Sequence, residues 1–67
     1  MKNKILLALK AHYEALVAKN EALLENYLQN SAGIGEHPDI VEAMEVQIEK
    51  IANAEEKIET IQKHFSR

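Results

Sequence analysis

The sequence predicts an all-α protein, an antiparallel hairpin of two long helices that assembles with further copies of itself into a helical bundle. Apolar residues recur at alternating spacings of three and four along both halves of the chain, which is the period of a packed helix. Both glycines and the single proline lie in one short stretch between those halves. With 67 residues, the chain forms one domain that has little apolar surface to bury by itself.

The first helix is predicted over about residues 2–31. Its seam extends over more than three heptads and consists of Leu6, Leu9, Tyr13, Leu16, Asn20, Leu23, Tyr27 and Asn30. Val17, Leu24 and Leu28 widen this seam on one side. Five alanines follow the same spacing on nearly the opposite face: Ala8, Ala11, Ala15, Ala18 and Ala22. This alanine face has two interpretations, an exposed surface of good helix formers or a contact that lets another helix approach closely.

Residues 32–37 are predicted to connect the helices. Gly33 suits the left-handed position just past a helix end, and Pro38 suits the first turn of the next helix, where its missing N–H costs nothing. Gly35 and His37 complete the connection, and either His37 or Glu36 is expected to cap the second helix. The short connection predicts that the helices run antiparallel.

The second helix is predicted over about residues 38–65. Its seam consists of Ile40, Met44, Gln47, Ile51, Ala54, Ile58, Ile61 and Phe65. Val41 and Ile48 broaden the first half of this seam. The other faces are rich in glutamate and lysine, as expected of a solvated helix surface.

Self-association is predicted because two helices offer one seam and no enclosed core. The chain has no cysteine, so a disulfide cannot stabilise so small a domain. The apolar stripes exceed what one partner helix can cover, and two hairpins forming a four-helix bundle are the simplest solution. Asn20 within the seam agrees with this prediction, since a polar seam residue often sets register and oligomeric state.

Catalytic and metal-binding functions are not indicated. Gly33 and Gly35 follow a helix, without the preceding strand or the Lys-Ser/Thr pair of a phosphate-binding loop. Glu36, His37 and Asp39 supply too few ligands for more than a weak metal site. The few serines and threonines and the scattered histidines form no nucleophile motif, and a hairpin has no deep cleft. The sequence therefore predicts no enzyme activity, no cofactor and no metal site.

The charge is distributed unevenly along the predicted hairpin. The net charge of −3 argues against nucleic-acid binding, and no apolar run is long enough to span a membrane, so we expect a cytoplasmic protein. Antiparallel folding is expected to gather a basic end, which consists of Lys2, Lys4, Lys63, His64 and Arg67. This end either complements the helix dipoles or binds an anionic ligand or acidic partner. In the second case, His12 and Tyr13 are expected to share a ligand site formed between subunits.

The stretches GIGEHPDIVEA at 33–43 and IEKIANAEEKIETIQKHF at 48–65 resemble short uncharacterised proteins of tailed bacteriophages. The resemblance covers most of the chain but supplies no functional motif. It implies an accessory role, such as binding or inhibiting a host protein, assisting virion assembly, or sequestering a nucleotide immune signal. Two hypotheses follow, a self-associating interaction module and an oligomeric protein that sequesters an anionic small molecule.

Overall fold

The computed structural model describes residues 3–29 and 39–65. Within these ranges the chain forms two α-helices, α1 at Lys4–Gln29 and α2 at Asp39–Phe65, and no strand. The two helices pack against each other along their length. The predicted all-α class and the helical hairpin are therefore confirmed.

The two helices run in opposite directions. Leu9, near the start of α1, lines the same groove as Ile61, near the end of α2. Further along α1, Asn20 shares a second groove with Lys50, which lies earlier in α2. As residue numbers rise along α1, the numbers of the residues facing it fall along α2, so the arrangement is antiparallel.

The start of α1 is set by an asparagine cap. The backbone N–H groups of Ile5 and Leu6 donate to the Asn3 side-chain Oδ1 at 2.8 and 3.2 Å. Asparagine is among the preferred N-cap residues because its side-chain oxygen accepts from these otherwise unpaired amides. The helix therefore begins at Lys4. The apolar period alone suggested a start near residue 2.

The helix termini differ in their charge. In α2, Asp39 and Glu42 lie in the first turn and Lys63 and His64 in the last, so both ends complement the helix dipole. In α1, no acidic residue lies in the first turn and no basic residue in the last. Lys4 instead lies at the positive end of α1, which favours α1 less than the charges at its ends favour α2.

The expectations for the interhelical connection lie outside the described residues. They concern Gly33, Gly35, His37 and Pro38. They also concern Glu36, which was a candidate helix cap and a candidate ligand of a weak metal site. Lys2 and Arg67 of the predicted basic end lie outside the described ranges as well.

The core is thin and lies on the two predicted seams. Among the described residues, three are buried: Asn20 on α1, with Ala54 and Ile61 on α2. Most other described seam residues are half-buried, whereas Leu9, Leu23 and Phe65 are exposed. The five alanines of the α1 stripe are all exposed, so that face points away from α2.

The accessible surface is large for the mass of the chain. A compact monomer of 7.6 kDa is expected to expose about 4,300 Å², whereas this hairpin exposes 5306 Å². The excess of about 1,000 Å² is comparable to the 800 Å² that each partner buries in a standard protein interface. Two helices packed side by side enclose little of their own surface, which accounts for this excess.

Candidate functional site

The seam between α1 and α2 divides the hairpin surface into two flanks of different chemistry. Side chains seven residues apart along a helix share a heptad position and therefore lie on the same side of the seam. We call one side the basic flank, which consists of His12, Lys19, Lys50, Lys57 and His64. We call the other side the apolar flank, which consists of Val17, Leu24, Val41 and Ile48.

The basic flank contains a groove of about 340 Å³ halfway along the hairpin. Both helices contribute to its walls, and its polar lining consists of Tyr13, Lys19, Asn20, Lys50, Asn53 and Lys57. No carboxylate lines this groove. Because a lysine ammonium carries three N–H donors and carboxamides can both donate and accept, the groove presents mainly hydrogen-bond donors and positive charge.

Tyr13 positions one of the lysines. The Nζ of Lys57 lies 5.7 Å from the centroid of the Tyr13 ring, within the range of a cation–π interaction across the seam. The His12 ring contacts Tyr13 edge-on, with centroids 5.4 Å apart. These contacts bring together Tyr13 and Lys57, two residues that the sequence places on different helices, and they place His12 beside the same groove.

The three groove lysines have no acidic neighbour on their own helix. Ion pairs on helices form between residues three or four apart, and none of Lys19, Lys50 and Lys57 has an Asp or Glu at that distance. Lys10, which lies outside the groove, shows the usual arrangement, with its Nζ 3.9 Å from the Glu14 carboxylate. That is the single ion pair within 4 Å in the described ranges, so the positive charge of the groove is not neutralised there.

A second groove adjoins the first toward the open end of the hairpin, where α1 begins and α2 ends. It shares Tyr13, Asn53 and Lys57 with the first groove but adds Glu56 and the apolar Leu9 and Ile61. The Thr60 hydroxyl donates to the Glu56 backbone carbonyl at 2.9 Å. Because Glu56 lines this second groove, it is less favourable for an anion than the first groove.

The apolar flank exposes large side chains near the connection between the helices. Val41 is 66% exposed and Ile48 is 54% exposed, and the two line one shallow depression with Met44 and Glu45. Toward the open end the same side becomes acidic, because Val17 shares a groove there with carboxylate-bearing residues, namely Glu14, Glu55 and Glu59. The apolar part is therefore confined to the half of the hairpin nearest the connection.

Two polar side chains lie within the seam. The Asn20 Nδ2 donates to the Leu16 backbone carbonyl at 2.8 Å, so this amide bonds to its own helix rather than across the seam. The Oε1 of Gln47 is buried without a hydrogen-bond partner. The local bond of Asn20 offers no evidence that this residue sets a register between helices, which was one of the expectations from its seam position.

The predicted basic end is described in part. Lys4, Lys63 and His64 are exposed, and the His64 ring lies edge-on to Phe65 with centroids 6.4 Å apart. Lys63 and His64 complement the α2 dipole, which accounts for their positions without a ligand. His12 and Tyr13, which were expected to belong to one site with this end, lie nearer the groove lysines.

Within the described residues, no three side chains of the His, Cys, Asp or Glu type cluster closely enough to hold a metal ion. Neither described helix has an apolar stretch long enough to cross a membrane.

Comparison with protein-family models, with curated proteins and with solved structures found no match. The resemblance to short phage proteins therefore stays a prediction, and function has to be argued from the two flanks.

Lys19, Lys50, Lys57 and Asn53 were not selected as candidate site residues from the sequence, and Asn20 was expected only as a seam residue. Lysine and asparagine on a helix surface usually indicate solvation, and a search for motifs passes over them. One signal was present: three lysines on seam-flanking positions lack an acidic residue three or four positions away in a chain with more acidic than basic residues. That Lys19 shares one groove with Lys50 and Lys57 of the other helix required the tertiary structure.

Proposed function

We propose that the protein is a non-enzymatic interaction module that self-associates through its apolar flank. The observation that carries this proposal is the exposure of Val41 and Ile48 beside a seam that buries few side chains. A contiguous apolar patch on a small protein is typical of an interaction site. The occupant we propose is a second copy of this chain.

Several features favour a second copy as the occupant. An apolar patch is complementary to itself, as the symmetric contact of a twofold dimer requires. The hairpin exposes about 1,000 Å² more than a compact monomer of its mass, and a standard interface takes about 800 Å² from each partner. Two hairpins joined in this way form a four-helix bundle in which half-buried residues such as Leu24 and Met44 become fully buried.

Sedimentation velocity over a wide micromolar range tests the proposal. We expect the wild-type chain to form dimers or larger assemblies and the double variant Val41→Glu/Ile48→Glu to sediment as a monomer, because carboxylates in an apolar contact lose their hydration. Val46→Glu is the matched control, since Val46 is 44% exposed and lies off the flank on the same helix. A wild-type chain that stays monomeric, or a control that dissociates equally, would contradict the proposal.

The resemblance to phage proteins adds a setting to this proposal. We place the protein in the host cytoplasm as a phage accessory protein whose assembled form binds or inhibits a host protein. Binding of an anionic small molecule is the second candidate function, and the lysine groove favours it.

A further inference from the structure

We propose that the groove lined by Tyr13, Lys19, Lys50 and Lys57 binds a small molecule that carries two or more phosphate groups. This site differs from the basic end expected from the sequence. It lies halfway along the hairpin rather than at its tip, and both helices contribute to it.

The first argument is electrostatic. Three lysines line one groove that no carboxylate lines, and in the described ranges none of the three has a carboxylate within ion-pair distance. Like charges held near each other raise the free energy of the folded hairpin, and a bound polyanion relieves that repulsion. The chain carries eleven acidic residues, so the lack of a partner here contrasts with the rest of the surface.

The second argument concerns geometry and the number of phosphates. Lys50 and Lys57 are two helical turns apart on α2, about 10 Å along the axis, and Lys19 lies across the seam. A single phosphate is too small to contact all three ammonium groups without drawing the side chains together. Two linked phosphates span the distance, and the side-chain amides of Asn20 and Asn53 can donate to the remaining oxygens.

The third argument limits the size of the ligand. The groove holds about 340 Å³, which is the volume of a small-molecule site. A long polyanion such as nucleic acid would extend beyond the three lysines onto a chain whose net charge is −3. We therefore infer a free phosphate compound rather than a nucleic acid.

Titration of the wild-type chain with inorganic pyrophosphate at constant ionic strength tests this inference, with amide chemical shifts and calorimetry as readouts. We expect saturable shifts at residues around Lys19, Lys50 and Lys57. The variant Lys19→Gln/Lys50→Gln/Lys57→Gln is expected to bind about tenfold more weakly, because three exposed charge contacts are lost. Its helix content is expected to stay near wild type and its melting temperature to stay level or rise, because the removed charges repel one another.

Two control variants make the test specific. The triple variant Lys4→Gln/Lys63→Gln/Arg67→Gln removes the same charge from the basic end predicted from the sequence, and we expect it to bind pyrophosphate as the wild type does. The variant Lys19→Arg/Lys50→Arg/Lys57→Arg keeps the groove charge, and we expect it to retain binding.

Several results would overturn the inference. They are the absence of saturable pyrophosphate binding, an equal loss of affinity in the open-end variant, and tighter binding of a short DNA duplex than of pyrophosphate. A groove variant that loses self-association, together with no pyrophosphate binding by the wild type, would assign the lysines to a contact between copies. The inference does not rest on the proposed dimer, because the Val41→Glu/Ile48→Glu monomer is expected to keep its pyrophosphate affinity.

Discussion

The two flanks of the hairpin lie on either side of one seam, are built from the same two helices and differ in what they leave unsatisfied. On the basic flank, three lysines face one groove without a carboxylate that pairs with them. On the apolar flank, Val41 and Ile48 remain in contact with water. The basic flank lacks negative charges that pair with its lysines, and the apolar flank lacks a surface that buries its side chains. A two-helix protein can therefore expose two chemically different surfaces at once, because a single seam shields neither side.

The seam between the helices holds both flanks in place. Ile61 is 6% exposed and is the one large apolar side chain that is buried among the described residues. We expect Ile61→Ala to lower the free energy of unfolding by about 2–5 kcal/mol, because it leaves a cavity between the helices. Ile5→Ala is the control, since Ile5 is highly exposed, and we expect little change. Urea denaturation measures both, and equal losses would mean that the seam is misplaced.

Salt is expected to separate the two flanks. Raising the NaCl concentration from about 0.01 M to 1 M shortens the screening length from about 30 Å to 3 Å. We expect pyrophosphate affinity to fall by about tenfold or more over this range, because the groove lysines are exposed. Self-association is expected to stay level or to strengthen, because burial of apolar surface does not depend on charge. Calorimetry and sedimentation follow the two processes, and a parallel loss of both would show that one charged surface serves both.

A smaller effect on stability is expected at Gln47, a polar seam residue in the half of α2 nearest the connection. The Oε1 of Gln47 is buried without a hydrogen-bond partner, so Gln47→Leu is expected to raise the free energy of unfolding by about 1 kcal/mol. Gln62→Leu on the exposed surface of α2 is the control and is expected to change stability by less than about 0.5 kcal/mol. Thermal melting distinguishes them, and a destabilised Gln47→Leu would indicate that Gln47 has a partner in the assembled protein.

The smallest expected effect on stability comes from a substitution that gives the basic flank an ion pair of the kind usual on a helix surface. Asn53→Glu places a carboxylate four residues before Lys57 and is expected to stabilise the hairpin by about 0.3–0.5 kcal/mol through an ion pair. The same change is expected to weaken pyrophosphate binding, since the new carboxylate neutralises the charge of Lys57 and repels the anion. Asn53→Gln has a similar helix propensity without the charge and controls for it. Unchanged pyrophosphate binding in Asn53→Glu would place the anion elsewhere.

The sequence by itself determined the helical class, the approximate ranges of the helices and the residues of the seams. Each of these depends on the spacing of side chains along one chain, which a helical period of 3.6 residues makes readable. The described seam on α2 contains both Ala54 and Ile61, which are buried there as the spacing indicated. The start of α1 was missed by two residues because the apolar period does not report a cap, although Asn3 itself was a visible signal.

The tertiary structure alone decided which side chains meet across the seam. Heptad spacing assigns Tyr13 and Lys57 each to a position on its own helix. The antiparallel register then brings the Lys57 Nζ near the Tyr13 ring. The same register places Lys19 in one groove with Lys50 and Lys57 of the other helix. Register depends on how two surfaces fit together and on the path of the connection between them. Periodicity within one helix contains neither, so the groove of the basic flank became apparent only in the packed structure. Val41 and Ile48 are seven residues apart on α2, and their shared face was already indicated by the spacing.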